Sequence, residues 1–100
     1  MLIVLAEATL GEGALEAGRE ALTTMIGASR KEEGCIAYSY AVDVLDPASI
    51  IIVEKWVDDA ALAFHFSTPH MAAFQQALAG LDIKITELRK FQADDGSPLS

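Results

Sequence analysis

The segment from Ile50 to Phe74 changes from a strand pattern to a helical one and then breaks into a second helix, and that sequence of changes constrains the fold more than any other feature. Ile50-Ile51-Ile52-Val53-Glu54-Lys55-Trp56-Val57 has the β-branched and aromatic make-up of a strand. Asp58 or Asp59 then offers a side-chain oxygen to cap a helix, with Leu62, His65 and Phe66 on its inner arc. Ser67-Thr68-Pro69 interrupts it, and Thr followed by proline is a second helix start. His70, Met71, Phe74 and Leu78 share one arc of that next helix, which stops at Gly80. The segment holds both histidines, the single tryptophan and three of the four phenylalanines, so chemistry is expected here.

The rest of the chain reads as scaffold. Residues 2–9 are apolar at nearly every position, which predicts a strand buried on both faces. A turn at Leu10-Gly11-Glu12-Gly13 leads to a helix over Ala14–Arg30, with Leu15, Gly18, Leu22, Met25, Ile26 and Ser29 on its inner face. Gly18 permits close approach to a sheet. Arg30-Lys31-Glu32-Glu33 reads as a solvated exit, and Gly34 ends it. Strand 2 is expected over residues 35–44, with Ile36, Tyr38, Tyr40, Val42 and Val44 on one face, turning at Asp46-Pro47 into the strand at 50–57. The last strand, over residues 82–91, sets Ile83, Ile85, Glu87, Arg89 and Phe91 against Lys84, Thr86, Leu88 and Lys90.

The order β-α-β-β-α(α)-β predicts an α+β, ferredoxin-like domain over residues 1–93, with helices on one face of a four-stranded antiparallel sheet. Residues 94–100 form a tail expected to be mobile. Three strands are apolar on both faces, so the uncovered face calls for a second copy, packed sheet against sheet as a homodimer.

Composition excludes several functions. The chain has 15 acidic and 7 basic residues, a net charge of −8, and no basic cluster to hold a phosphate backbone or an anionic membrane. No apolar run reaches membrane-span length, and the first apolar residues lack a basic leader. Cys35, the only cysteine, reads as a small buried residue at a strand start in a reducing, cytoplasmic setting. Gly11-Glu12-Gly13 lacks the third glycine of a dinucleotide loop, so no flavin or nicotinamide is expected. Two histidines five apart, without a carboxylate evidently beside them, fit no common metal spacing.

Three residues are candidates for catalysis. His65 faces the sheet and can exchange a proton near pH 7, or is a half-buried histidine satisfied by a carbonyl. Glu54 stands between Ile52 and Trp56 on one strand face, where a carboxylate must be paired or hold its proton. It is a base or substrate partner, or it pairs with Arg89. Trp56, with Tyr38, Tyr40, Phe64, Phe66 and Phe74, makes an apolar slot for a planar ring or part of the core. His70 reads as a cap or surface residue.

Residues 32–40 (EEGCIAYSY), the Asp-Pro hairpin turn, EKWVDDAALAFHFSTPHMAAF (54–74) and the closing strand resemble the antibiotic biosynthesis monooxygenase domain. The ordered set Glu54, Trp56, Asp58, Ala61-Leu62, His65, Ser67, His70 and Phe74 carries the likeness, which covers nearly the whole chain. The resemblance implies a dimeric α+β barrel. It also implies oxygenation of a phenolic or quinol ring without a cofactor, the substrate itself supplying electrons to O₂. On it, His65 handles protons and Trp56 positions the ring, while Tyr38, Phe66, His70 and Phe74 line the pocket. The chain has no asparagine, which some ring-oxidising members and the haem-degrading branch use. The family also holds a sugar-phosphate isomerase and members without known activity. A proton-transfer enzyme on a small carbonyl compound, using His65 and Glu54, and a non-catalytic ligand-binding dimer are therefore the alternatives.

Overall fold

The computed structural model describes residues 1–99; Ser100, the end of the expected mobile tail, lies outside the described residues. The elements are β1 (Leu2–Leu10), α1 (Ala14–Arg30), β2 (Cys35–Val42), β3 (Ser49–Trp56), α2 (Asp59–Phe66), α3 (Pro69–Leu78) and β4 (Ile83–Gln92). The strands form one antiparallel sheet in the order β2-β3-β1-β4, the ferredoxin-like arrangement expected.

Strand pleating decides which residues meet the helices. Leu2, Val4, Ala6, Ala8 and Leu10 of β1 are buried there, beside Ile50, Ile52, Glu54 and Trp56 of β3. Leu2, Leu22, Met25, Tyr38, Trp56, Met71 and Phe74 belong to the larger core, and each fully buried Leu or Met contributes roughly 1.5–3 kcal/mol. Where Ala6 and Ala8 keep the sheet surface low, Ala14 packs into a second cluster. The close approach at Gly18 is to Leu81 rather than the sheet itself: an added Cβ would stand 2.9 Å from Leu81 Cδ1.

The opposite face carries no helix, so β1 is covered on one side only and Leu5 stays 41% exposed. Two register shifts alter the strand faces expected from simple alternation. In β2 the irregularity lies between Cys35 and Ala37. It turns Ile36 out to solvent and sets Cys35 opposite Trp56. In β4 a shift at the partners of Glu7 and Ala8 puts Ile83 and Ile85 on the helix face. Glu87, Arg89 and Phe91, opposite Glu7, Leu5 and Ile3, fall on the open face instead. β2 also ends two residues early. Asp43 Oδ1 accepts from Leu45 N and Asp46 Oδ1 from Ala48 N, so two Asx turns take over the backbone and leave Val44 and Leu45 exposed. Asp58 caps α2 through Oδ1 to Ala61 N at 2.8 Å, and Thr68 caps α3. Among the described residues no helix is long and apolar enough to cross a membrane.

Candidate active site

Four polar side chains and two aromatic rings meet where α2, α3 and the turn after α1 close over β3. Glu54 is 8% exposed, and its Oε1 accepts the indole Nε1–H of Trp56 at 3.0 Å. The two residues share a strand face at i, i+2, so the tryptophan supplies the donor that a buried carboxylate lacks in an apolar strand. Burial raises the Glu54 pKa, while the indole bond and the nearby His65 oppose the rise. Arg89 does not pair with Glu54, because the β4 shift carries it to the open face, where it bonds Glu87.

His65 is 1% exposed, with its ring 4.6 Å from the Trp56 ring and 5.4 Å from Tyr38. Its Nδ1 lies 2.7 Å from Glu32 Oε2, and His70 Nε2 lies 2.7 Å from the same oxygen. On one continuous helix, residues five apart would point about 140° from each other. The break at Ser67-Thr68 reverses that divergence. His65 closes α2 and His70 opens α3, with ring centroids 6.0 Å apart.

Glu32 is the residue that sequence reasoning missed: its side chain is 5% exposed, not solvated. The turn holds it from both sides, Glu32 N bonding Ser29 O and Cys35 N bonding Glu32 O. Gly34 lets α2 sit against the turn, since a Cβ there would stand 2.4 Å from Ala61 Cβ. Two adjacent glutamates carry no local mark of which one is buried; the packing of Gly34 on Ala61 selects Glu32. The histidines thus do have a carboxylate beside them.

The residues expected to line one slot are distributed among several spaces. A cavity of about 280 Å³ between α2 and β4 is walled by Val4, Glu54, Leu62, Phe66, Leu88, Arg89 and Lys90. Phe66 belongs to this wall and is 59% exposed, rather than packed inward. His70 and Phe74 line a separate groove between α1 and α3. Tyr40 borders a third, beside Leu22 and Ile26. Trp56, His65 and Tyr38 are the packed layer behind these spaces and wall none of the three. Burial lifts the Tyr40 phenol to about 12 and Tyr38 higher still, and the two hydroxyls lie 3.4 Å apart, where either can donate to the other.

The sequence model of the antibiotic biosynthesis monooxygenase family matches residues 1–77. The chain belongs to the antibiotic biosynthesis monooxygenase family. "Probable quinol monooxygenase YgiN" of Escherichia coli K12 is 33% identical over 90 residues, covering 80% of this chain and 86% of YgiN. An uncharacterized Synechocystis protein, sll1783, is 36% identical over 69 residues, or 69% of this chain but only 47% of its own length. Among solved structures, a Deinococcus radiodurans protein named for the same family superposes with a TM-score of 0.89 at 22% identity, covering 100% of this chain and 99% of that one. PA3566 of Pseudomonas aeruginosa gives 0.76 at 29% identity, covering 96% and 94%. These likenesses agree with the fold.

Proposed function

We propose that the chain is a cofactor-independent monooxygenase that converts a small quinol to a hydroxyquinone with O₂, in the cavity between α2 and β4. The observation that carries this reading is Glu54, a buried carboxylate of raised pKa in the wall of a cavity that also has Val4, Leu62, Phe66 and Leu88 on one side and Arg89 and Lys90 at its β4 edge. A carboxylate tuned upward by burial suits proton transfer near neutral pH. The volume of about 280 Å³ is at the low end for ligand pockets and suits a small planar ring. The likeness to YgiN supports a quinol as substrate class.

In this scheme Glu54 takes the phenolic proton, and the quinolate passes one electron to O₂. The resulting radicals combine at a ring carbon, and the peroxide formed there takes the proton back from Glu54. Loss of water, with the ring hydrogen on that carbon, leaves a carbonyl that tautomerises to the hydroxyquinone. Quinol plus O₂ gives hydroxyquinone plus water, and the four electrons lost by the ring are the four gained by O₂. Trp56 fixes Glu54 through its indole N–H. His65, its ring tilted against Trp56 and held by Glu32, is a positioning residue in this scheme. Leu62, Phe66 and Leu88 give the cavity its apolar wall, against which the ring would lie.

The functional unit we propose is a homodimer joined through the open sheet faces. Leu5, Ile3, Ile51, Val53 and Phe91 make that face apolar, and it surrounds a depression bounded by Glu7, Glu87 and Arg89. The single Cys35 thiol suits a reducing cytoplasm.

An oxygen electrode with a panel of quinols tests the activity. Uptake is expected for wild type, with a fall of at least ~100-fold in Glu54→Gln and a smaller fall in His65→Ala. No uptake with any quinol refutes the reading, and uptake unchanged in Glu54→Gln removes Glu54 from it.

A further inference from the structure

We propose that Glu32, His65 and His70 form a binding site for a divalent first-row transition-metal ion, with coordination positions left open. The inference goes beyond the quinol reading and does not rest on it, because none of the three walls the Glu54 cavity.

Three observations carry it. Glu32 Oε2, His65 Nδ1 and His70 Nε2 all lie within 4.8 Å of one another, on three separate elements. Tetrahedral ligands at about 2.1 Å from an ion stand about 3.4 Å apart, so the two contacts of 2.7 Å need to open by less than about 1 Å. Second, Glu32 Oε1 is buried and has no hydrogen-bond partner, and among the described residues the only side chains that meet the carboxylate are the two imidazoles, both at Oε2. A buried carboxylate without Lys or Arg is costly; a dication would supply the missing charge and, held by both carboxylate oxygens, a partner for Oε1 as well. Third, there is a way in. His70, 20% exposed at its side chain, lines the groove between α1 and α3, and Glu32 lines another beside α2.

The donor set defines the ion class. Two imidazole nitrogens and one carboxylate oxygen favour Zn²⁺, Co²⁺, Fe²⁺ or Ni²⁺ over Ca²⁺ and Mg²⁺, which prefer all-oxygen shells. Three protein ligands leave room for water or a small anionic ligand entering from the grooves.

Wild-type protein stripped by a chelator is titrated with Zn²⁺ by calorimetry and with Co²⁺ by visible absorption. A single equivalent per chain is expected, with a ligand-field band for Co²⁺. Glu32→Gln and His70→Ala should each weaken binding at least ~10-fold. Should Glu32→Gln fail to fold, His70→Ala decides, since that side chain is partly exposed at a helix start. No saturable binding and no Co²⁺ band, or the same affinity in His70→Ala as in wild type, overturns the proposal.

Discussion

Replacing Gly34 by alanine tests how the buried Glu32 is held. The new Cβ would lie 2.4 Å from Ala61 Cβ, 3.4 Å from Val57 Cγ2 and 3.5 Å from Ala61 Cα. Ordinary contact begins at 3.4 Å, so the Ala61 methyl alone must move by about 1 Å, and it is fixed to α2. Overpacking of this kind costs about 1–3 kcal/mol. At roughly 4–8 °C per kcal/mol for a domain of this size, the Tm should fall by about 4–24 °C. The same shift would stretch the Glu32–His65 contact of 2.7 Å past bonding distance. Adding Ala61→Gly removes the atom that clashes, at about 1 kcal/mol of helix propensity. Thermal melts of the four-member cycle should therefore show the double variant more stable than the sum of the singles by ~0.5 kcal/mol or more. Gly34→Ala within about 0.5 kcal/mol of wild type, or strict additivity, refutes the packing that buries Glu32.

Other outcomes follow from the same geometry. Because the Glu54 pKa is raised on folding, the native state holds that proton more tightly than the unfolded chain. The contribution of Glu54 to stability is therefore full below its unfolded value and is lost as pH rises through the folded one. Urea unfolding should show Glu54→Gln gaining on wild type as pH is raised from about 4 to 7, and a constant gap counts against the raised pKa. Trp56→Phe deletes the indole N–H bonded to Glu54 and should cost about 1–3 kcal/mol by denaturant melts. It should also push the Glu54 pKa higher still, since that bond opposes the rise; titration by carbon-detected NMR reads the direction. Leu5→Glu puts a charge on the open sheet face and should turn a dimer into a monomer by light scattering. A wild-type chain already monomeric at micromolar concentration removes the dimer.

The fold was legible because the strands carry β-branched and aromatic residues and two of the three helix starts, at Asp58 and Thr68, have their side-chain caps in sequence. The two bulges were not. Nothing local distinguishes Ile36 from Tyr38, or Ile85 from Glu87, and a single extra residue in a ladder exchanges the faces of all that follow. That exchange is why Arg89 was expected inside and lies outside. The site was legible as a set of residue types: Glu54, Trp56, His65 and His70 do converge around β3, α2 and α3. Their partners were not, since Glu54 takes its bond from Trp56, two residues away, and the histidines take theirs from Glu32, at sequence separations of 33 and 38. The pocket itself depends on gaps between packed elements, which residue patterns do not encode; Phe66 and Phe74 therefore line different spaces.

The most direct test of the proposed function is the fate of isotopically labelled O₂ in a single-turnover reaction with an accepted quinol. The account predicts one labelled oxygen in the hydroxyquinone and the other in water, with the yield lost in Glu54→Gln. An unlabelled quinone accompanied by hydrogen peroxide would mean a two-electron oxidation without oxygen transfer, and would contradict it.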